Sequence, residues 1–221
     1  MSISPPAAPP LVDLGPVAQL RAGRLAVRLP LLYVGLVIYG ASLAMMARAD
    51  LGFAPWDVLH SGLIRHLPMT LGQAVVVMSF LVLLLWIPLR EMPGLGTISN
   101  AVVVGLACDA TLAVLERPDV LAVRIALMLG GVGTCGLATA LYIGAQLGRG
   151  PRDGLMTGLV RRTGLSIRLV RTGLEVSVVL LGLLLGGALG IGTVVFALTI
   201  GPITQVLLPL FTVDLDRGRT T

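Results

Sequence analysis

Leu51-Gly52-Phe53-Ala54-Pro55-Trp56-Asp57-Val58-Leu59-His60-Ser61-Gly62-Leu63 recurs, without a gap, as Leu147-Gly148-Arg149-Gly150-Pro151-Arg152-Asp153-Gly154-Leu155-Met156-Thr157-Gly158-Leu159. Both stretches read L-G-x-x-P-x-D-x-L-x-x-G-L at an offset of 96 residues. The register continues outward. Gly94-Leu95-Gly96-Thr97 falls on Gly190-Ile191-Gly192-Thr193, and Ala101 and Gly105 fall on Ala197 and Gly201. Between residues 35–112 and 131–208, 22 of 78 positions are identical, many of them Gly, Pro, Asp or Thr, which shared hydrophobicity does not explain. The chain reads as two copies of one unit.

Each copy is membrane-grade. With 56% hydrophobic and 12% charged residues, and a mean hydropathy of +0.95, the composition lies far from that of a soluble domain. A crossing needs about 20 mostly apolar residues. That requirement predicts six spans, at 29–47, 71–89, 94–115, 125–147, 174–189 and 193–211. The expected fold is an all-α polytopic membrane protein with six transmembrane helices, arranged as two inverted three-helix repeats, each carrying a short interfacial or re-entrant helix. The expected divisions are a flexible cytoplasmic N-terminal tail over 1–28, repeat 1 over 29–116, repeat 2 over 117–212 and a cytoplasmic C-terminal tail over 213–221. Five of the fourteen prolines lie in residues 1–19, a composition that disfavours packing. No signal peptide is read there.

All sixteen cations are Arg, and they account for the net charge of +5. With the N-terminus inside, twelve fall on inner segments and four on outer ones. The positive-inside rule then places both termini in the cytoplasm. Three crossings per copy require the second copy to be inserted upside down. The charge excess reads as topology signalling and headgroup contact, and without a solvated basic face carrying aromatics it does not predict nucleic-acid binding. Cys108 and Cys135 lack metal-ligand spacing, and nothing surrounds His60 and His66 with a tetrahedral shell, so no metal and no cofactor is expected.

The short segments 55–67 and 151–164 are too brief to cross and too apolar for plain loops. Pro55 and Pro151 suit the first turn of a helix, and Asp57 and Asp153 are expected to accept bonds from early N–H groups at the positive end of the dipole. If the segments enter the bilayer from opposite faces, they line a site at the repeat interface, as broken helices do in inverted-repeat transporters. Ionisable groups inside spans are costly and mark function by default. Asp109 is the sharpest case, and its counterpart is Gln205. Asp57, Asp153, Arg152, Asp109 and Gln205 are therefore the expected binding residues, with the acids holding a cation or cycling protons. Glu175 is read as a structural i, i+4 partner of Arg171 near the membrane surface. Thr97 and Thr193 read as helix caps. Gly62, Gly158 and the glycines of the fourth and fifth spans, Gly182 and Gly186 among them, read as packing positions.

The stretch 148–159, with Arg161-Arg162-Thr163-Gly164-Leu165-Ser166-Ile167-Arg168 behind it and 50–59 in the first copy, resembles the YczE-like bacterial integral membrane proteins. The resemblance covers about 31–211. The R-R-T-G-x-S pattern is similar, more distantly, to the YitT-type membrane proteins. It implies a fold more than an activity, because members of the family carry labels as permeases or as accessory membrane proteins. No nucleophile elbow, zinc-protease motif, phosphate loop or dinucleotide fingerprint is present in the right context, so no enzymatic activity is expected. The leading functional reading is a small-molecule transporter or permease with a lipid bilayer, a solute or coupling ion, and a second copy or partner membrane protein as its partners. The rivals are a scaffold or regulatory protein that steadies a partner complex, and a substrate-capturing subunit of an energy-coupled transporter.

Overall fold

The structure is a computed structural model, and it describes residues 11–12 and 14–215. Among these residues there are nine helices and no strands. They are α1 (Pro16–Arg21), α2 (Leu25–Ala49), α3 (Pro55–Leu63), α4 (Leu71–Leu89), α5 (Leu95–Val114), α6 (Leu121–Gly144), α7 (Pro151–Thr163), α8 (Ile167–Leu184) and α9 (Ile191–Phe211). Five of them, α2, α4, α5, α6 and α9, are long and apolar enough to cross a bilayer. Their outward faces carry large apolar side chains such as Ile87, Leu106, Leu198 and Leu210, each more than 60% exposed, as a lipid-facing surface does.

The expected fifth span, 174–189, is not a continuous helix. α8 starts earlier, at Ile167, where Ser166 accepts from the Leu169 amide, and stops at Leu184 ahead of Gly186 in the left-handed region. Its first half carries Arg168, Arg171 and Glu175, so only the last nine residues are uniformly free of charge. Nine residues rise about 13 Å, less than half of the hydrocarbon thickness.

The order of the chain also reaches into the expected N-terminal tail. Residues 16–21 form α1, and Arg28 belongs to α2 with its side chain fully buried. Arg28 donates from Nε to Ala145 O (2.8 Å), from Nη2 to Gln146 O (2.6 Å), and from Nη1 to Gln19 O (2.7 Å) and Gly23 O (3.1 Å). The Gln146 side chain accepts from Val12 N and donates to Val213 O, so both described ends of the chain meet at one end of the bundle. These polar bonds, absent from any hydropathy reading, hold segments whose composition alone predicts no packing.

The 96-residue offset reappears as reciprocal contacts between the halves. Gly35 lies against Leu141 and Tyr142, while its counterpart Gly131 lies against Met45 and Met46, the counterparts of that pair. This register makes α2 and α6 antiparallel neighbours. Arg28 grips the carbonyls of residues 145 and 146, and its counterpart Arg124 grips those of Ala49 (2.8 Å) and Asp50 (2.5 Å). Gly96 N donates to Leu147 O (2.7 Å), and Gly192 N donates to Leu51 O (2.8 Å). Each short helix packs across the halves, α3 on α8 and α7 on α4. There, volumes are exchanged between counterparts: Trp86 fills the space over Gly154, whereas Val58 backbone fills the space over Gly182.

Candidate functional site

The two short helices begin alike because their approach is built alike. Asp50 and Gln146 adopt the left-handed conformation that ends the preceding helix, and Gly52 (φ +117°) and Gly148 (φ +130°) supply a backbone turn that L side chains rarely adopt. Pro55 and Pro151 then open α3 and α7 at the first helical position. Trp86 Nε1 donates to Pro151 O (2.9 Å) and pins the start of α7. Thr97 and Thr193 cap α5 and α9 by accepting from the amides of Gly94 and Gly190 (3.1 and 3.4 Å).

The first turns of α3 and α7 reach one another through their side chains. Arg152 places its guanidinium carbon 5.0 Å from the ring centroid of Trp56, its counterpart in the other half, so two equivalent positions touch at the junction. A cavity of 470 Å³ opens there, with Pro55 and Trp56 from α3 and Pro151, Arg152 and Asp153 from α7 in its wall. Its volume lies in the range of small-molecule sites. Polar groups reach it from Asn100 on α5, Tyr142 on α6, Arg171 and Glu175 on α8, and Gln205 on α9. The aromatic share of the wall comes from Tyr39, Trp56, Tyr142 and Phe196, with Tyr39 edge-on to Tyr142 at 6.1 Å.

One side of this cavity is closed and the counterpart side is not. α4 packs on α5 where Gly72 and Gly105 bring the two backbones together. The counterparts are Arg168 and Gly201, and Gly201 has nothing within 4 Å of the space a methyl would occupy. An arginine at 168 denies α8 the close approach that glycine allows α4. The opening on that side is lined by α8 and α9 residues such as Leu174, Gln205 and Leu208.

The expected binding residues separate into three groups. Arg152, Asp153 and Gln205 line the cavity together. Asp57 is 2% exposed and outside the lining, with His60 Nδ1 donating to its carboxylate at 2.8 Å. Asp109 is elsewhere. It accepts from Thr70 Oγ1 (2.5 Å) and Gly72 N (2.8 Å), the first groups of α4, and so serves as an N-terminal cap supplied by the neighbouring helix. Neither Asp57 nor Asp153 makes the side-chain cap bond expected of it, although both sit in the positive first turn. Asp153 instead accepts from Tyr142 Oη at 2.5 Å. Gly62 and Gly158 are packing positions, the former against Gly182 and Leu185 and the latter against Leu89 and Glu91.

Sequence reasoning missed Tyr142, Trp56 and His60 as partners of the expected residues. His60 stands three residues after Asp57 on one helix face, which is a readable signal. Trp56 is the register counterpart of Arg152, which is another. The Arg171–Glu175 pair forms as expected at 2.9 Å, but it lines the cavity and does not simply face the membrane surface. Among the described residues no cluster of His, Cys, Asp and Glu has the geometry to hold a metal.

Among the described residues, nine helices, five of bilayer length, and a cavity lined by two half-length helices define a helical integral membrane protein. The chain belongs to a family of unknown function, DUF6198, whose profile matches residues 26–209. It is 42% identical over 178 residues to an uncharacterised protein of Haemophilus influenzae, covering 80% of this chain and 82% of that one. It is 31% identical over 188 residues to the uncharacterised membrane protein YczE of Bacillus subtilis, covering 84% and 87%. Uncharacterised protein YyaS of the same organism is 26% identical over 181 residues, covering 80% and 90%. The YczE-like membership read from the repeated motif therefore stands. No solved structure matches the chain.

Proposed function

We propose that this protein is a small-molecule transporter of the bacterial cytoplasmic membrane, built from two inverted three-crossing repeats with both termini in the cytoplasm. The observation that carries the reading is that the first turns of two half-length helices, one from each half, line a single cavity and touch through Arg152 and Trp56. The antiparallel register of α2 and α6 supports the inversion. The twelve-to-four distribution of arginines supports the orientation. α8 serves as the sixth crossing. Its 18 residues rise about 27 Å, close to the roughly 30 Å of the hydrocarbon core, and its charged turn is tolerable there because Arg171 pairs with Glu175 at the wall of the cavity.

Within the site, the acids and their partners are suited to carrying protons or a cation. Asp153 with Tyr142, and Asp57 with His60, are two short side-chain pairs within one residue of the helix junction. His60 Nε2 is buried with no hydrogen-bond partner among the described residues, an atom available to a proton when the cavity rearranges. The test is reconstitution of purified protein in liposomes with a proton-gradient dye and a panel of radiolabelled solutes. Solute-dependent proton flux that falls in Asp57→Asn plus Asp153→Asn supports the reading. Equal flux in the double variant removes the acids from the mechanism, and the absence of flux for every solute class removes transport.

A further inference from the structure

We infer that the cavity takes an organic anion with an apolar body, and that Arg152 is the residue that holds its carboxylate. The inference rests on the small-molecule site proposed above and adds the charge of its ligand. Every other charged group at this junction is engaged. Asp57 receives His60 Nδ1 at 2.8 Å, Asp153 receives Tyr142 Oη at 2.5 Å, and Glu175 receives Arg171 Nε at 2.9 Å. Among the described residues nothing hydrogen-bonds to or ion-pairs with the Arg152 guanidinium, which has only the Trp56 ring face, 5.0 Å away. Stacking occupies the face of the guanidinium and leaves the N–H donors at its edge, the fork that fits a carboxylate in two parallel bonds.

The Arg152 N–H donors have no acceptor among the described residues, and donors left unpaired in a bilayer-embedded cavity are costly, so a carboxylate that accepts from them would complete the site. Two further features fit an organic carboxylate. Arg152 stands in the first turn of α7, and Pro55 and Trp56 in the first turn of α3 face the same space, so the partial positive ends of two helices, of 13 and 9 residues, are directed at it. Much of the wall is aromatic or aliphatic, with Tyr39, Phe196, Ile200 and Leu174 offering an apolar surface for the body of the ligand. A bare inorganic anion would leave that surface unused.

The test uses the full chain in nanodiscs and three probes of one shape: phenylacetate, 2-phenylacetamide and 2-phenylethylammonium. Trp56 is one of two tryptophans and stacks on the proposed ligand-binding group, so intrinsic fluorescence reports occupancy, and Trp56→Phe should lose the signal. The expected result is saturable binding of phenylacetate, at least about tenfold weaker binding of the amide and weaker still of the ammonium. Arg152→Gln should lose the preference for the anion, and Arg152→Lys, which keeps the charge without the fork, should bind phenylacetate about tenfold more weakly. Melting of the same samples separates lost binding from lost folding. Preference for the ammonium would overturn the anion assignment while leaving a small-molecule cavity intact. Phenylacetate binding unchanged in Arg152→Gln would overturn the role of Arg152, and the binding of no probe at all would overturn the proposal, whatever the liposome fluxes show.

Discussion

Removing Arg28 should unfold the protein more readily than any other single loss of charge. Its side chain is fully buried and donates to four carbonyls, two of them at the C-terminal end of α6, where helix carbonyls lack intrahelical partners. A hydrogen bond from a charged donor contributes about 1.5–3 kcal/mol net. Four such terms do not add, because the freed carbonyls partly find water and the buried charge no longer has to be desolvated. About two such terms remain after these offsets, so the expected loss for Arg28→Ala is about 3–5 kcal/mol. The register supplies an internal control. Arg124 makes the reciprocal grip on Ala49 and Asp50, but its side chain is 17% exposed and meets fewer acceptors, so Arg124→Ala should cost about 1–3 kcal/mol. The assay is thermal unfolding in detergent followed by a thiol-reactive fluorophore. Both reporters are native, since Cys108 and Cys135 are free and fully buried and react only when the bundle opens. A melting midpoint of Arg28→Ala equal to wild type, or a larger effect for Arg124→Ala, would refute the reasoning.

Two further outcomes concern Asp109, which the sequence placed at the binding site, and two glycines that it read as packing positions. Asp109→Ala should lower stability by about 1–3 kcal/mol, through the Thr70 hydroxyl and Gly72 amide it leaves unpaired, yet keep liposome flux per folded molecule near wild type; flux lost at full stability would return Asp109 to the site. Gly182→Ala should be severely destabilising, because a methyl there meets the backbone of Val58 and Leu59 at about 2.6 Å, whereas Gly133→Ala, with nothing within 4 Å, should be neutral or stabilising by up to about 1 kcal/mol. Comparing the two melting curves checks that the glycines of α6 and α8 differ as their neighbours do.

The legible part of this fold is the part with a period. Apolar runs located α2, α4, α5, α6 and α9 to within a few residues, and the repeated Pro-x-Asp marked the first residues of α3 and α7. What escaped depends on partners far away in the chain. Asp109 stands in an apolar run and looks like an intramembrane acid seeking a ligand, but the groups it meets are 37 and 39 residues earlier at the start of α4. A carboxylate that caps a neighbouring helix and one that binds a solute leave the same mark in a sequence. Arg28 and Arg124 match at the 96-residue offset but lie outside the aligned stretch, and topology signalling explained both without any structural role. Tyr142 became visible as a partner of Asp153 only once α6 was folded beside α7. Arg152 was legible as a charge, and its want of a partner was not.

Leu67, beyond the end of α3, and Thr163, the last residue of α7, are counterparts at the same offset and both are exposed. With Cys108 and Cys135 replaced by Ala, Leu67→Cys and Thr163→Cys can each be probed in intact cells with a membrane-impermeant maleimide, before and after permeabilisation. Two halves inserted in opposite directions predict that position 67 reacts in intact cells and position 163 only after permeabilisation. Reaction of both from the same face would contradict the inversion on which the shared cavity depends.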